Sequence, residues 1–266
     1  MPSFSVTLIV NTFNQPEYLS KVLKGIGNQS LKPDEVLLAD DGSAKPTREL
    51  FAEWSRENSY ACKHIWQENK GFRRSRILNQ AIAQSSSNYI VFLDGDTIPH
   101  PQFISDHQLV ARKNYFVQGH RALIKEGAEQ WFGVGNFQDD RKKAFFSGKL
   151  KGLKHAYRWP MAMTRVKRDL RGIRGCNLGI WRDDLIRTNG YNEEFVGWGR
   201  EDSELAVRLM NNNVPRLDVR GRALCYHLWH PPASRSNVGQ NDELLENSKS
   251  TDIKFCKLGL DQYIAK

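Results

Sequence analysis

Two kinds of apolar run alternate along the first 112 residues and predict strands and helices in turn. The strand-like runs are short, and the first of them is β-branched and apolar; they are "FSVTLIV", "EVLLADDGS", "CKHIWQ" and "YIVFLDGD". Between them, apolar residues recur at helical spacing, as in the stretch from Leu19 to Ile26, and 46–57 and 72–84 suit further helices. Four strands alternating with three helices indicate βαβ units. We therefore expect an α/β fold with a mostly parallel central sheet flanked by helices.

The pattern of the remaining chain is less regular. A helix at about 101–112 and a strand at about 115–124 are followed by a long stretch without clear periodicity. Regular patterns return with a strand at 176–181, helices at 182–188 and 201–211, and strand-like residues at 216–229. From residue 242 the tail is weakly amphipathic, and we expect it to pack on the core.

These patterns predict one domain over 1–232 and a helical C-terminal tail over 233–266. Within the domain, halves at 1–112 and 174–232 flank a flexible, basic inserted loop at 125–173. A loop of that length in a compact domain is usually functional or disordered. It is either a solvated, mobile excursion, or a flap over phosphates or a surface for an anionic acceptor or lipid headgroups.

Composition narrows the class of protein further. The chain has 266 residues, 39% of them hydrophobic, and no apolar run approaches the ~20 residues that span a bilayer. The N-terminus lacks the basic region of a signal peptide, so we expect a cytoplasmic protein. Four cysteines without a CxxC pair fit neither a zinc ribbon nor a disulfide framework. The net charge of +9 suits nucleic acid, a membrane surface or phosphorylated small molecules, and charge alone does not choose among them.

Polar residues gather where the first four predicted strands end. In open α/β sheets, ligands bind at the carboxyl ends of the strands, so we expect these residues to converge on one crevice. They are Thr12 and Asn14 after the first strand, Asp40 and Asp41 after the second, 69–76 after the third, and Asp94 and Asp96 after the fourth.

The acids of the "DGD" triplet suit a metal and a nucleotide. On a straight strand, Asp94 and Asp96 would point to opposite faces, but a turn at Gly95 lets Asp96 reach forward. A divalent cation such as Mn²⁺ or Mg²⁺, held by protein carboxylates and diphosphate oxygens, is the usual arrangement for a nucleotide substrate. Taken alone, the triplet also fits an exposed acidic turn.

The loops after the second and third strands add candidates for nucleotide binding. Asp40 or Asp41 can accept a hydrogen bond from a base or a ribose, or can cap the following segment. Three arginines at the start of the next helix, Arg73, Arg74 and Arg76, suit phosphate, and a solvated basic helix face is the alternative.

The stretch "GWGREDSE" is a second concentration of chemistry. Trp198, between two glycines, offers a flat face for a sugar ring, or is a core residue. Glu201 and Asp202 open a helix, where capping explains one acid but not both. If the pair faces the crevice, one acid can hold an acceptor hydroxyl while the other removes its proton.

His227 and His230 lie three residues apart at a predicted strand end. An imidazole near the "DGD" turn can complete the ligand shell of a borderline metal, which suits Mn²⁺ better than Ca²⁺. A structural histidine is the alternative. His227 is the better candidate because it lies nearer the strand.

Together these motifs resemble family 2 glycosyltransferases with the nucleotide-sugar-binding GT-A fold. "NTFNQPEYL", "LADDGS", "NKGFRRSRILN" and "FLDGD" occur in the family's order and approximate spacing. The stretch "GCNLGIWRDDLIRTNGYNEEFVGWGREDSELAVRL" is similar to the C-terminal half shared by galactosyltransferases and chondroitin-type capsule polymerases. The resemblance covers about 4–112 and 172–232 and implies an enzyme that transfers a sugar.

The resemblance also implies a role for each matching residue. Asp202 is the expected catalytic base, with Glu201, Trp198 and Gly197 binding the acceptor. Asp96 and His227 are expected to bind the metal, with Mn²⁺ preferred and Mg²⁺ an alternative. The residues expected to bind the nucleotide sugar are Thr12, Asn14, Asp40, Asp41, Lys70, Arg76, Asp94 and Gly95. Among these, Asp40 or Asp41 is expected at the uracil, and Asp94 at the ribose.

The function that follows is metal-dependent, inverting transfer from a UDP-sugar to a bacterial surface glycan, such as lipopolysaccharide, capsule or a lipid-linked oligosaccharide. The chain lacks the membrane-spanning helices of processive synthases, which favours addition of one sugar at a time. The basic surface is compatible with peripheral contact at the inner face of the cell membrane. Two alternatives are a nucleotidyltransferase, for which the glycine-free "NTFNQPEY" is a poor triphosphate loop, and a nucleic-acid-binding protein. Acids lining the crevice disfavour nucleic acid as a partner.

Overall fold

An eight-stranded mixed sheet forms the centre of the molecule in the computed structural model, which describes residues 4–232 and 234–264. The predicted α/β class is confirmed. Residues 1–3, at the start of the predicted domain, and 233, 265 and 266, in the predicted tail, lie outside the described part. In chain order, the strands are β1 Val6–Thr12, β2 Glu35–Asp40, β3 Ala61–Trp66, β4 Tyr89–Asp94, β5 Thr97–Pro99, β6 Phe116–Gln118, β7 His120–Ile124, β8 Leu150–Lys151, β9 Met163–Lys167, β10 Asn177–Trp181, β11 Arg216–Arg220 and β12 Leu224–His227.

Helices cover both faces of the large sheet, whose strand order is β3-β2-β1-β4-β10-β6-β11-β9. The helices are α1 Pro16–Gly27, α2 Lys45–Arg56, α3 Arg74–Gln84, α4 Phe103–Val110, α5 Phe137–Phe146, α6 Arg182–Thr188, α7 Glu201–Asn211 and α8 Val238–Ser250. The predicted ranges of α6 and α7 match these bounds, and those of α2 and α3 differ by one or two residues.

The first four strands run parallel, and β1, β2 and β4 are buried on both sides along most of their length, whereas the edge strand β3 is largely exposed. Along β1, Leu8 and Val10 pack into a cluster with α1, whereas Ile9 packs with Ile77 of α3 on the other face. Side chains alternate between the two faces of a strand, so a strand buried on both faces needs this continuous apolar run. The parallel register then brings the carboxyl ends together, with Thr12 opposite Asp40 and Asn11 opposite Asp94.

Two predicted strands are each divided between two sheets. The strand predicted at 115–124 breaks at Gly119, where a Cβ atom would lie 2.4 Å from the Asn177 amide and 2.6 Å from the Ala223 carbonyl oxygen. The region predicted at 216–229 breaks at a turn in which Gly221 has a φ of 74°. The second halves, β7 and β12, join β5 and β8 in a four-stranded sheet that the sequence pattern does not predict.

The segment 125–173 contains regular elements rather than one continuous loop. It includes α5, the short strand β8, a 3-10 turn at Leu153–His155, and β9, which pairs with β11 at the edge of the large sheet. Arg158 anchors it by donating from Nε and Nη2 to the two carboxylate oxygens of Asp106, at 3.0 and 2.8 Å. The expectation of a loop without elements is therefore corrected, because pairing with β11 supplies order that local periodicity does not encode.

The helical tail is present as α8, which packs against α7. Ser248 donates to the Glu204 carboxylate at 3.3 Å, and the Asn241 amide donates to the Gly199 carbonyl at 2.9 Å. Across 4–232 and 234–264, no helix combines the length and apolar character needed to cross a membrane.

Gly179, in the middle of β10, provides a test of this packing. A Cβ atom there would lie 2.0 Å from the Tyr89 hydroxyl and 2.8 Å from His107 Nδ1, both in the core. We expect Gly179→Ala to lower the free energy of unfolding by about 1–3 kcal/mol through overpacking. Urea unfolding measures the loss. In Gly239→Ala, a matched control in α8, the new methyl group meets nothing within 4 Å and should cost no stability. Equal stability of the two variants would contradict the packing around β10.

Candidate active site at the strand ends

The turn between β4 and β5 places Asp94 and Asp96 at the edge of the large sheet. The Gly95 amide donates to the Asn11 carbonyl at 2.7 Å, which brings the turn against β1. A Cβ atom at Gly95 would lie 2.9 Å from Thr12 Oγ1 and 3.0 Å from the Asn11 carbonyl oxygen. Gly95 is not among the residues with positive φ, so the turn needs glycine for space and not for an unusual backbone angle.

Asp96, His227 and His230 form a group that fits a metal ion. One ligand atom from each lies within 4.8 Å of the others. The Asp96 carboxylate is 3.1 Å from His230 Nε2 and 3.6 Å from His227 Nε2. Pairing of β12 with β5 sets this geometry, because His227 lies opposite Thr97 in the register. Two imidazole nitrogens and a carboxylate suit a borderline divalent ion better than Ca²⁺. The sequence favours His227 over His230, and the structure brings both together.

Charge and burial act in opposite directions on the pKa values of Asp96 and the two histidines. Burial raises the pKa of Asp96, but the hydrogen bond from His230 and the nearby His227 bring it below its ordinary value. Burial lowers the pKa of His227. The hydrogen bond to Asp96 raises the pKa of His230 above its ordinary value. The aspartate is therefore ionised at neutral pH, as a metal ligand must be.

Arg74 joins the two halves of the site. Its guanidinium is buried and donates to Asp94 Oδ1 at 2.8 Å from one terminal nitrogen and to Glu201 Oε1 at 2.9 Å from the other. Gly175 leaves room for it, since a Cβ atom there would lie 2.8 Å from both terminal nitrogens. The end of β4 and the start of α7 are thus held by one side chain.

Arg76, expected near the nucleotide, lies on the exposed face of α3, where its charge acts on Tyr263. Arg74 instead shares a buried face with Ile77, Leu78 and Ala81. The helical spacing of these apolar residues is the sequence signal that would have identified Arg74, because residues three and four apart lie on one side of a helix. The assignment of Arg76 to the nucleotide stays a prediction, whereas Arg74 is the arginine of this motif that contacts Asp94 and Glu201.

The two acids that open α7 have different surroundings. Glu201 is buried, and its Oε2 atom has no hydrogen-bond partner within the described residues. Burial raises the pKa of Glu201 to about 7, although Arg74 opposes the shift. Asp202 is partly exposed, and its carboxylate accepts from the Gly175 amide at 2.8 Å and the Ser203 amide at 2.7 Å. Because Ser203 lies in the first turn of α7, the Asp202 carboxylate satisfies one of the free backbone N–H groups at the start of the helix.

The acids after β2 have protein partners. Asp40 accepts from the Ser43 amide at 2.7 Å and contacts His64 Nε2 at 2.9 Å. Asp41 accepts from the Arg73 amide at 2.8 Å, and burial raises its pKa. Both carboxylates therefore accept hydrogen bonds from backbone amides of the protein's own loops. For Asp40, this bond agrees with the alternative in which the acid caps the following segment.

The remaining residues expected to bind the nucleotide sugar lie at the end of β1 and on the loops after β1 and β3. The Asn14 side chain accepts from the Ala44 amide at 2.8 Å, which ties the loop after β1 to the loop after β2. Thr12 is buried, and its Oγ1 atom has no hydrogen-bond partner in the described chain. Lys70 is exposed and forms an ion pair with Glu68 at 2.8 Å.

Of the residues expected to bind the acceptor, Trp198 and Gly197 border a cavity of about 300 Å³. Gly197 has a φ of 80°, and its amide donates to the Phe72 carbonyl at 3.0 Å. Trp198 is 44% exposed, so it is not a core residue. The Arg235 guanidinium lies 5.2 Å from the centre of the Trp198 ring, a contact that sequence analysis does not identify.

Comparison with known proteins places these features in a family. The model for "Glycosyl transferase family 2" matches residues 7–174, and that for "N-terminal domain of galactosyltransferase" matches residues 158–230. Chondroitin synthase of Escherichia coli is 24% identical over 250 residues, which cover 88% of this chain and 36% of that protein. The GalNAc(5)-diNAcBac-PP-undecaprenol beta-1,3-glucosyltransferase of Campylobacter jejuni is 29% identical over 202 residues, covering 74% and 57%.

Solved structures of glycosyltransferases share the fold. The S. aureus TarS fragment 1–349 in complex with UDP aligns with a TM-score of 0.64 at 14% identity, covering 97% of this chain and 68% of that one. A mannosyltransferase from Pyrobaculum calidifontis in complex with GDP-Man and Mn²⁺ aligns with a TM-score of 0.58 at 17% identity, covering 84% and 56%. The predicted GT-A fold is confirmed. The chain spans about a third to a half of the length of the first relatives it matches.

The raised pKa of Glu201 predicts a pH-dependent stability. The folded state keeps a proton that the unfolded state releases between the ordinary value of 4.5 and about 7. Stability should therefore fall as pH rises through this window, by on the order of 3 kcal/mol at most. We expect Glu201→Gln to remove this fall, as measured by urea unfolding at pH 5 and pH 8.

Glu49→Gln is the matched control, because Glu49 is exposed and, among the described residues, forms an ion pair with Lys45 alone, across one turn of α2. It should unfold like the parent at both pH values. A Glu201→Gln variant that keeps the parent's pH dependence would refute the assignment.

Proposed function

The chain belongs to glycosyltransferase family 2, and from that premise we propose that it transfers a sugar from a UDP-sugar, with inversion, to a hydroxyl group of a bacterial surface glycan or its lipid-linked precursor. The observation that carries the proposal is the Arg74 bridge. It joins Asp94, on the half that resembles a nucleotide site, to Glu201, beside the expected base. The relatives named for chondroitin and for an undecaprenol-linked glycan support this acceptor class.

The donor lies over the ends of β1, β2 and β4 in this proposal. Asp94 accepts from the ribose hydroxyls, which its exposed carboxylate oxygen can reach while the other stays with Arg74. Asp41 or Asp40 orients the uracil together with Thr12 and Asn14. Lys70, on the loop after β3, is placed to neutralise phosphate. The complex of TarS with UDP, a protein that shares this fold, supports a uridine nucleotide.

Asp96, His227 and His230 would hold a divalent metal, and their donor atoms fit one. When bound, such an ion neutralises charge that develops on the leaving diphosphate. Two imidazoles favour Mn²⁺ over Mg²⁺, which prefers oxygen ligands and retains its waters. The mannosyltransferase of the same fold, solved with GDP-Man and Mn²⁺, supports a divalent ion.

Asp202 is the proposed general base because it is the more accessible acid of the pair. Amide donors from Gly175 and Ser203 hold its carboxylate in place. It takes the proton of the acceptor hydroxyl as that oxygen bonds to the anomeric carbon, and the bond to the diphosphate breaks on the opposite face. An α-linked donor therefore gives a β-linked product. Glu201, Trp198 and Gly197 bind the acceptor, with the Trp198 ring as a platform for a sugar.

Replacement of the base tests this assignment. We expect Asp202→Asn to lower turnover by at least about 100-fold, because the amide cannot accept the proton. The donor is first identified by thermal shift across a panel of UDP-sugars with Mn²⁺, since a ligand of the folded state raises its stability. The thermal shift with UDP and Mn²⁺ should be unchanged in the variant.

Asp183→Asn is the control, since Asp183 is exposed on α6, about 3.9 Å from Lys113. It should keep the parent's turnover. Full turnover by Asp202→Asn would exclude Asp202 as the base.

If Asp96, His227 and His230 bind a metal, replacing Asp96 and replacing Asp94 in the "DGD" turn should have different effects on the metal requirement. Asp96→Asn and His230→Ala should each raise the Mn²⁺ concentration needed for half-maximal activity by tenfold or more, because each removes a ligand. Asp94→Asn should instead raise KM for the donor, with a smaller effect on the metal requirement. Electron paramagnetic resonance of free Mn²⁺ gives a direct binding curve besides activity. Equal Mn²⁺ binding by Asp96→Asn and the parent would contradict the assignment.

A further inference from the structure

Positive charge and exposed apolar side chains are concentrated in the same segment of the chain. Residues 125–173 hold twelve Lys and Arg against five Asp and Glu, a net charge of +7 out of +9 for the whole chain. The segment is less than a fifth of the chain but carries seven of the seventeen exposed large hydrophobic side chains among the described residues. The two most exposed of all, Phe146 at 83% and Met161 at 78%, are both in it. Scattered apolar residues are ordinary on a surface, whereas exposed rings in contact beside lysines, as at Phe145 and Phe146, indicate a binding surface.

The end of α5 is the centre of this concentration, and we call residues 142–146, "KKAFF", the α5 tip. Lys142, Lys143, Phe145 and Phe146 are exposed, whereas Ala144 is buried and anchors the helix. The Phe146 ring packs edge-on against Phe145, with centroids 5.3 Å apart. The tip therefore presents two adjacent aromatic rings flanked by two lysines.

Backbone hydrogen bonds fix the conformation of the α5 tip. Gly148 has a φ of 67°, its amide donates to the Phe145 carbonyl at 3.0 Å, and the Lys149 amide donates to the Ala144 carbonyl at 2.8 Å. This pair of bonds is the Schellman arrangement that closes a helix at a left-handed glycine. The first turn is capped by the Asn136 side chain, which accepts from the Gln138 and Asp139 amides. The exposed rings thus project from a helix that is defined at both ends.

The helix that carries the tip is packed on the small sheet next to the metal group. Phe137, at the start of α5, contacts Tyr226 with ring centroids 5.1 Å apart, and Tyr226 directly precedes His227. Lys21 of α1 donates to the Gln130 carbonyl at 3.0 Å, which fastens the chain just before α5. A surface that binds the tip is therefore held at a defined position relative to the candidate active site.

We propose that the α5 tip docks the protein on an anionic lipid bilayer, with Phe145 and Phe146 entering the boundary between headgroups and acyl chains. Lys142 and Lys143 would lie at the lipid phosphates, and the wider +7 segment adds attraction to the negative surface. Neither the two rings nor the positive charge alone gives stable attachment, because one or two apolar side chains or a few charges bind a membrane only weakly. The inference rests on the proposed function only in its purpose, which is to bring the site to a lipid-linked acceptor.

A bilayer fits this surface better than nucleic acid. Single-stranded nucleic acid is held in a basic groove in which bases stack on aromatic faces. Here the Phe146 ring projects from a helix end, and the neighbouring ring is turned edge-on to it at 79°. Two rings at that angle offer no stacking platform for successive bases, but they can both enter an apolar layer.

Sedimentation with vesicles tests the proposal on the full chain. The parent should bind vesicles of phosphatidylcholine with phosphatidylglycerol and should not bind pure phosphatidylcholine. Phe145→Ser with Phe146→Ser should weaken the partition constant about tenfold or more, because apolar burial is lost. Lys142→Glu with Lys143→Glu should weaken it by a similar factor, and added salt should reduce the difference from the parent.

Leu109→Ser and Lys45→Glu are the matched controls, because Leu109 is 56% exposed on α4 and the Lys45 side chain is 80% exposed on α2. Both should sediment like the parent. Thermal unfolding and the shift with UDP and Mn²⁺ should be the same in all variants, so a failure of docking and a failure of the proposed function are distinguishable. Equal binding by the tip variants and the parent would overturn the proposal. Retention on single-stranded RNA without vesicle binding would overturn it in favour of nucleic acid.

Discussion

The buried guanidinium of Arg74, held between Asp94 and Glu201, is the ionic contact on which the arrangement of the site depends. Removing a charge from water is costly, and only well-placed partners offset that cost. Because Arg74 is buried, both carboxylates must reach it, one from the end of β4 and one from the start of α7. Arg74 and Glu201, which are 127 positions apart in the chain, are thereby fixed next to each other. Gly175 is required for the same reason, since any side chain there would occupy the position of the guanidinium.

This contact also separates the environments of the two acids at the start of α7. Glu201 is drawn inward by Arg74, and its burial moves its pKa to about 7. Asp202, one residue later on the helix, lies about 100° around the axis and is left partly exposed with two amide donors. The helix geometry thus gives one acid a structural ion pair and leaves the other accessible. Two acids in the same environment would not differ in burial and in hydrogen-bond partners in this way.

The sequence predicts what depends on local pattern and misses what depends on contacts between distant segments. The parallel strands and the ranges of α6 and α7 follow from periodicity alone. The break at Gly119 does not, because it arises where the chain crosses Asn177 and Ala223. The buried position of Arg74 lies between these cases, because the apolar face of α3 indicates which arginine of the motif points inward, whereas the motif itself does not. His230 joins the metal group through the path of the chain after β12, which no local pattern encodes.

The four-stranded sheet explains why the metal group and the inserted segment belong together. Its strand β5 follows the "DGD" turn directly, and its pairing with β12 brings His227 opposite Thr97, next to Asp96. The same sheet takes β8 from the insert, while Phe137 of α5 packs on Tyr226. A displacement of the insert would therefore act on β12 and on the histidines that follow it. The insert thus adds an edge strand to each sheet, β9 to the large one and β8 to the small one, and the candidate metal ligand His227 lies on the small one.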